Sequence, residues 1–507
     1  MFAGMKDAEK QRLLAELLNL CNSQQLAFVQ EFVGPRLKRD PFSSLPDELC
    51  IRILTFIDDG KTLARSSQVS RRWRELVSDD EAWKSLCEKE GYRRPSEAAL
   101  PSNTTQTPGA SPYAGYSPLE GWSRYGASTG APDLRTQSLE RASKPRAAKR
   151  SRPQAISYRS HFKQRYMVET AWRTGGKVYQ KQITPDQGVV TSLHLTDKYI
   201  VVALDNAKIH VFDPDGNHQK TLQGHVMGVW AMVPWDDVLV SGGCDRDVRV
   251  WNMAAGASVH VLRGHTSTVR CLKMSDATTA VSGSRDTTLR IWDIQKGICK
   301  HVLVGHAASV RCVEVCGDLI VSGSYDTTAR IWSIAEGKCV RVLNGHFSQI
   351  YAVAFDGRRV VTGSLDTSVR VWDPADGRCL YTLQGHTSLV GQLQMRGDVL
   401  VTGGSDGSVR VWSLTEFHAI HRLAAHDNSV TSLQFDENRI VSGGSDGRVK
   451  VWDLKTGQLV RELSQPSEAV WRVCFEEERA VVMASRSQKT VMEVSHSHSL
   501  RHPRCFC

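Results

Sequence analysis

The chain has 507 residues, with 64 Lys and Arg against 54 Asp and Glu, and its net charge is +10. Nine basic residues and no acidic one fall in residues 141–165, and so concentrated an excess argues against a nucleic-acid-binding face that covers a whole domain. No run of about 18 apolar residues occurs, so no membrane span is expected. The 13 cysteines are expected to be reduced thiols, because the first residues lack an apolar signal core.

Residues 1–40 predict a short helical segment, with two helices between residues 7 and 33. Apolar side chains recur there at helical spacing. They are Leu13, Leu14, Leu17 and Leu18 in the first helix and Leu26, Val29, Phe32 and Val33 in the second. One interpretation is that these faces pack against the helices that follow.

Residues 41–91 predict three or four further short helices. Pro46 suits a first helical turn, and Asp47 and Glu48 suit the positive end of the helix dipole. Apolar residues follow at helical spacing as far as Leu86. So small a unit cannot bury all of them, so a partner is expected to cover some. The alternative is a helical cap that packs on the next domain.

Residues 92–156 predict a flexible linker, rich in Ser, Pro, Gly and Thr and then basic. The run KPRAAKRSRP at 144–153 is either a nuclear localisation signal or a solvated part of the linker. We favour the signal, and we expect the protein in the nucleus, with the cytoplasm as a second location. Residues 157–176 predict a helix that leads into the next domain.

From residue 224 the chain repeats one unit six times, at intervals of 40 or 41 residues. Each unit contains GH, which is AH in the sixth unit, then an apolar strand, [ST]GxxD and [VIAL][RK][VI]W. The histidines are His225, His265, His306, His346, His386 and His426, and the tryptophans are Trp251, Trp292, Trp332, Trp372, Trp412 and Trp452. β-Branched runs between Gly and Asp turns predict strands. The unit resembles the WD repeat, which forms one four-stranded blade of a β-propeller.

Two weaker copies, at 189–213 and 468–494, bring the predicted propeller to eight blades within residues 157–494. Residues 176–184 are the candidate strand that closes the ring. The recurring His, Asp, Ser or Thr, and Trp predict a hydrogen-bond network in each blade, because an enzyme needs one catalytic set and not six. The tail at 495–507 lacks the paired spacing of a zinc module, so disorder and no cofactor are expected.

Three arginines depart from the repeat at positions expected to face the mouth of the central channel. The fifth residue after each GH histidine, with its equivalents in the weaker copies, reads Thr191, Trp230, Arg270, Arg311, Tyr351, Gly391, Thr431 and Trp471. The residue before each turn Asp forms a second ring, namely Cys244, Arg285, Tyr325, Leu365, Ser405 and Ser445. Arginines such as Arg290 and Arg330 recur in nearly every copy and are assigned to the scaffold.

Three converging guanidinium groups repel one another, and a multiply charged anion relieves that repulsion. Phosphate suits them, because each charge-assisted hydrogen bond contributes roughly 1.5–3 kcal/mol. Tyr325 adds a hydroxyl donor, and the neighbouring aromatic residues suit an apolar or proline residue beside the phosphate. The pattern therefore predicts a phosphopeptide pocket. The positive rim is expected to extend to Arg246, Arg472 and Arg486.

The opening LPDEL at 45–49 and SRRWREL at 70–76 resemble an F-box. Helices, linker and propeller together resemble the F-box/WD-repeat substrate receptors of SCF ubiquitin ligases, nearest the archipelago or cell-division-control type. The resemblance implies a non-catalytic subunit that docks the Skp adaptor of the cullin-RING core and presents phosphorylated proteins for ubiquitination and proteasomal degradation. It also implies a homodimer through residues 7–33, the alternative to packing.

The resemblance extends to single residues. GHTSTVR, SGSRD, SVRCV and SGSYD match the phosphate-binding motifs of that subgroup and imply Arg270, Arg285, Arg311 and Tyr325 as the phosphate site. Ser267 and Thr268 would face a second phosphate, Trp230 the following proline, and Trp471 with Arg472 the far rim. The adaptor-binding residues implied are Leu45, Pro46, Leu49, Ile53, Leu54, Leu63, Val69 and Trp73. Departures are Cys244, where some relatives have threonine, and the long Ser/Pro linker.

Two other functions stay open from the sequence. One is a scaffold or RNA-binding propeller that is not coupled to degradation, for which salt-dependent oligonucleotide binding would be the signature. The other is a receptor for a different degron, such as a doubly phosphorylated serine motif.

Overall fold

The computed structural model describes residues 6–37, 40–43, 45–92, 157–183, 188–476 and 478–496. The predicted linker and tail therefore lie almost entirely outside the described residues. The described chain divides into a helical unit and a β unit. No helix in these ranges is long and apolar enough to span a membrane.

The helical elements agree with the sequence predictions in number and order, except that Pro46 precedes α3 and does not lie in its first turn. They are α1 (Asp7–Asn19), α2 (Ser23–Leu37), a 3-10 turn (Pro41–Ser43), α3 (Asp47–Leu54), α4 (Gly60–Ser66), α5 (Arg71–Ser78), α6 (Asp80–Glu90) and α7 (Tyr158–Thr174). Asp59, Ser70 and Asp79 cap α4, α5 and α6 by accepting hydrogen bonds from backbone N–H groups. Gly91 ends α6 with φ of 74°, a left-handed conformation that suits glycine.

The core of the helical unit is small and aromatic. Leu54, Leu63, Trp83 and Phe162 are buried together in it. A Cβ atom at Gly60 would lie 2.3 Å from the Phe162 ring, so only glycine lets the start of α4 approach α7 this closely. In contrast, α1 buries none of its residues. The interpretation that α1 packs against the following helices is therefore not supported.

The β unit consists of eight four-stranded antiparallel sheets, as predicted. Blade 8 takes its outer strand from the start of the unit, β1 (Lys177–Gln182). Blades 1 to 4 contain β2 (Val190–Leu195), β3 (Ile200–Leu204), β4 (Ile209–Phe212), β5 (His218–Leu222); β6 (Val229–Trp235), β7 (Val238–Gly243), β8 (Val248–Asn252), β9 (Ala257–Leu262); β10 (Val269–Met274), β11 (Thr279–Ser284), β12 (Leu289–Asp293), β13 (Ile298–Leu303); and β14 (Val310–Cys316), β15 (Leu319–Ser324), β16 (Ala329–Ser333), β17 (Lys338–Leu343).

Blades 5 to 8 repeat this arrangement. They contain β18 (Ile350–Phe355), β19 (Val360–Ser364), β20 (Val369–Trp372), β21 (Cys379–Leu383); β22 (Val390–Arg396), β23 (Val399–Gly404), β24 (Ser408–Ser413), β25 (Ala419–Ala424); β26 (Val430–Phe435), β27 (Arg439–Gly444), β28 (Val449–Asp453), β29 (Leu459–Glu462); and β30 (Ala469–Glu476), β31 (Arg479–Arg486), β32 (Lys489–His496). The first strands of neighbouring blades contact one another around the whole ring.

The ring closes as the sequence predicted. β1 pairs antiparallel with β32 from Lys177 opposite His496 to Gln182 opposite Val491. Blade 8 therefore combines strands from both ends of the β unit, and the open edge of β32 is covered. The end of α7 adds to this region, because Val168 and Trp172 are buried in the core shared by blades 7 and 8.

Each of the six repeats holds the predicted polar network. In blade 3 the two ring nitrogens of His265 lie 2.7 Å from Asp286 Oδ2 and 2.7 Å from Ser282 Oγ, and Trp292 Nε1 donates to the same hydroxyl at 2.7 Å. In blade 5 burial opposes ionisation of Asp366, but hydrogen bonds from Ser368, His346 and the backbone outweigh it and lower its pKa to about 2. The network therefore holds each blade together.

Candidate functional site

The two rings of positions predicted to face the channel mouth are brought together by the sheet register. Val269 at the start of β10 pairs with Ser284 at the end of β11, and the register shifts between Val269 and Cys271. Arg270 is therefore the extra residue of a β-bulge, which frees its side chain from the regular ladder. Arg285 follows directly, and its N–H donates to Thr268 O at 2.9 Å. One blade thus places two arginines at the same end.

The three arginines converge across blades 3 and 4. The pKa of Arg270 is lowered, first by burial and then by the positive charge of Arg311, with Arg285 adding to the effect. A hydrogen bond with the Tyr325 hydroxyl acts in the opposite direction. A guanidinium that is half-buried beside two like charges is stabilised most by an incoming anion. Among the described residues, none of the three forms an ion pair with a carboxylate.

Aromatic rings from the flanking blades border this arginine cluster. The guanidinium of Arg270 lies 4.6 Å from the ring centroid of Trp230, and that of Arg311 lies 5.8 Å from the ring of Tyr351. Tyr325 and Tyr351 contact each other with ring centroids 5.1 Å apart. Burial and a hydrogen bond with Tyr325 raise the pKa of Tyr351, so its hydroxyl stays protonated. These cation–π contacts position the guanidinium groups before any ligand arrives.

The rest of the mouth has accessible polar and apolar groups. Trp230 is 39% exposed, and its Nε1 donates to Cys244 Sγ at 2.9 Å. Arg285 and Arg246 are exposed, and Ser267 and Thr268 are half-buried in the loop that precedes β10. Chemically, the site offers forked donors for a dianion and, next to them, a flat indole face for an apolar ring.

Two arginines that were expected at the positive rim are placed differently. Arg472 donates to the carbonyl oxygens of Thr191 and Thr431 at 3.0–3.3 Å, so its guanidinium joins the first strands of blades 7, 8 and 1. In blade 8, Val470 pairs with Ala484, so Arg486 takes the position of a turn Asp and not that of Arg285. It forms an ion pair with Glu493 at 2.6 Å.

Trp471 is half-buried and packs against the core between blades 8 and 1, with its position at the start of the first strand as predicted. Sequence reasoning missed three exposed apolar residues on the loops that lead to the mouth. Val226, Met227 and Phe347 are 81%, 56% and 86% exposed. The signal was available, because the residue after GH is Thr, Ala or Asp in the other copies.

The helical unit has a separate exposed apolar face. Leu49, Ile53 and Val69, predicted to contact the adaptor, are 49%, 44% and 64% exposed. Phe56, which the prediction omitted, is 73% exposed. Phe56 lies two residues beyond the end of α3 and three after Ile53, so helical periodicity was the signal that could have identified it.

The other predicted adaptor contacts divide into two groups. Leu54 and Leu63 are 1% and 0% exposed, so their assignment to a partner surface is wrong; both face the core of the helical unit. Trp73 is half-buried, because it stacks on Phe42 at 4.1 Å and donates from Nε1 to Asp40 at 2.8 Å. Leu45 is half-buried and Pro46 is exposed beside them.

Comparison with known proteins places these observations in a family. The description F-box-like matches residues 42–89. The description WD domain, G-beta repeat, matches residues 216–252, 256–293, 297–333, 337–373, 377–413 and 417–453. Among solved structures, the computationally designed Ika8 protein is similar, with a TM-score of 0.58 and 33% identity over 62% of this chain and 98% of its own.

Curated relatives match about half of this chain. WD repeat-containing protein pop1 of Schizosaccharomyces pombe is 28% identical over 54% of this chain and 30% of its own length. Cell division control protein 4 of Saccharomyces cerevisiae is 28% identical over 51% and 29%. A probable E3 ubiquitin ligase complex SCF subunit sconB of Talaromyces stipitatus is 27% identical over 52% and 36%.

The match thus spans about a third of the length of these relatives. The two family descriptions match both modules that the structure shows, the helices and the repeats of the ring. The chain belongs to the F-box/WD-repeat proteins.

Proposed function

We propose that this protein is the substrate-recognition subunit of an SCF-type ubiquitin ligase and that its propeller binds phosphorylated degrons. The observation that carries the proposal is the convergence of Arg270, Arg285 and Arg311 at one channel mouth. The relatives named as SCF subunits support the ligase assignment. In this proposal a phosphate dianion accepts from the three guanidiniums, and the residue after the phosphorylated one packs on Trp230.

The helical unit supplies the connection to the ligase. Leu49, Ile53, Phe56 and Val69 form an exposed apolar face that an Skp adaptor would cover, and the adaptor would in turn bind the cullin-RING core. No residue of this chain takes part in bond chemistry in this proposal. The chain would speed ubiquitin transfer by raising the effective concentration of the substrate, because it holds the bound substrate near the ubiquitin-conjugating enzyme that carries ubiquitin. The products are ubiquitinated proteins that the proteasome degrades.

Two further parts of the proposal concern assembly and location. The apolar residues of α1 and α2 are exposed, including Leu17 at 53% and Phe32 at 52%, and a second copy of the chain would cover them. A homodimer through residues 7–33 is therefore part of the proposal. The basic run at 144–153 lies outside the described residues, and we propose that it directs the protein to the nucleus.

The experiment compares one Thr-Pro peptide in phosphorylated and unphosphorylated form on the full chain bound to its adaptor. Fluorescence anisotropy should give binding to the phosphorylated form alone, and Arg311→Ala should weaken it. The control is Arg378→Ala, which removes an equal charge from an exposed turn between β20 and β21, at the opposite end of the blade. Equal binding of both peptide forms would contradict the proposal, as would salt-sensitive binding of an unrelated oligonucleotide by the arginine cluster.

A further inference from the structure

The chain itself contains sequences of the kind that the mouth is proposed to bind. Three residues that can be phosphorylated precede a proline: Thr107 before Pro108, Ser111 before Pro112, and Ser117 before Pro118. Residues 98–119 contain no charged side chain. Before modification, this segment therefore has no negative charge for the three guanidinium groups to attract, whereas one phosphate adds a charge of about −2.

We infer that the arginine cluster binds this chain's own linker once Thr107 is phosphorylated; the inference rests on the proposed function. The occupant follows from the chemistry of the mouth. Arg270 and Arg311 have no carboxylate partner among the described residues, and Trp230 offers an indole face 39% exposed directly beside Arg270. A phosphothreonine followed by proline supplies the dianion and the apolar ring in adjacent residues.

The modification balances as an ordinary phosphoryl transfer. A proline-directed protein kinase moves the terminal phosphoryl group of ATP to Thr107 Oγ1, and ADP and the hydroxyl proton leave. Trp230 lies in blade 2 and Arg270 in blade 3, so a bound chain with Pro108 on Trp230 runs from the cluster toward blade 2. Ser111, four residues later, is then directed toward exposed Arg246 of blade 2. Phosphorylation of Ser111 should therefore strengthen the interaction.

The tether does not prevent this contact. About 50 residues separate Thr107 from Tyr158, where α7 begins, and a chain of that length spans up to about 170 Å. A unit of some 330 residues has a radius of gyration of about 20 Å. Tethering typically gives an effective concentration in the millimolar range, so a segment with Kd of about 10 µM would occupy about 99% of the sites. Self-occupancy would then compete with substrates and depend on phosphatase activity.

The test uses the full chain with phosphothreonine installed at position 107 through an expanded genetic code, bound to its adaptor. The probe is a fluorescent Thr-Pro phosphopeptide of unrelated sequence. We expect its apparent Kd to be 10- to 100-fold weaker than on the unmodified chain, and phosphatase treatment to reverse the change. The matched control is Thr107→Ala, which leaves every residue of the mouth in place and should bind the probe as the unmodified chain does.

The outcomes separate the two proposals. If the probe binds the unmodified chain and phosphorylation at Thr107 does not change its Kd, this inference is overturned and the proposed function stands. If the probe binds neither form, both are overturned. A weakening that does not depend on chain concentration supports binding within one chain, and one that grows with concentration supports binding between chains. A phosphorylated peptide of residues 101–114 should also bind Thr107→Ala and lose at least tenfold in affinity on Arg270→Ala.

Discussion

Replacement of Arg270 by alanine should weaken phosphopeptide binding more than replacement of Arg285, although both residues lie in the same blade. Arg270 is half-buried over Trp230, whereas Arg285 is exposed. A forked pair of charge-assisted bonds is worth about 3–6 kcal/mol. Removing Arg270 also removes its repulsion with Arg311 in the free protein, which offsets part of that loss.

The net loss for Arg270→Ala is then about 2–3 kcal/mol, a 30- to 150-fold increase in Kd. An exposed guanidinium is hydrated in the free protein, and solvent screens its interaction with the phosphate in the complex. Arg285→Ala should therefore cost about 1.4 kcal/mol of binding free energy, a tenfold increase in Kd. Anisotropy titrations of one phosphopeptide against the two variants and Arg378→Ala measure the order. The reasoning is refuted if the two mouth variants lose equally, or if Arg378→Ala loses as much as either.

Other parts of the molecule give four further expectations. Ile53→Asp and Val69→Asp, on the exposed face of the helical unit, should abolish capture of the Skp adaptor in a pull-down without changing the unfolding midpoint. Leu63→Ala should do the reverse and destabilise that unit by about 2–5 kcal/mol in urea titrations, because the side chain is fully buried. Asp326→Ala should cost about 3 kcal/mol, because it leaves His306 without its partner in the buried network. Burial lowers the pKa of His210 to about 4, so the folded protein keeps this imidazole neutral. The contribution of His210 to the free energy of unfolding should be complete above pH 6.5 and fall by about 3 kcal/mol toward pH 4, and His210→Gln should reduce that pH dependence.

The periodic part of the fold could be predicted from the sequence because each repeat contains the motifs that define one blade. The spacing in sequence from GH to the turn Asp and on to Trp predicts the four strands of a blade and its hydrogen-bond network. The strand at 177–182 that closes the ring was also predicted, because an open edge of the last sheet has to be covered. The helical unit was predicted less completely. The spacing of apolar residues predicted the helices, but it could not distinguish the buried Leu54 from the exposed Ile53, because both faces of α3 are apolar.

Arg486 shows why the rim of the mouth could not be predicted from residue type alone. It lies one position beyond the equivalent of Arg285 in blade 3, because Val470 pairs with Ala484. Blade 8 has no sequence motif from which that register could be predicted. A shift of one residue turns a side chain to the other face of a strand. At the slot, the side chain faces the mouth and its charge is open to a ligand; one residue later, it faces the blade and is neutralised by Glu493. The charge that the proposed site offers a phosphate therefore depends on register as well as on the number of arginines: the complete repeats share one register, and blades 3 and 4 differ from the others by having Arg270, Arg285 and Arg311 at these positions.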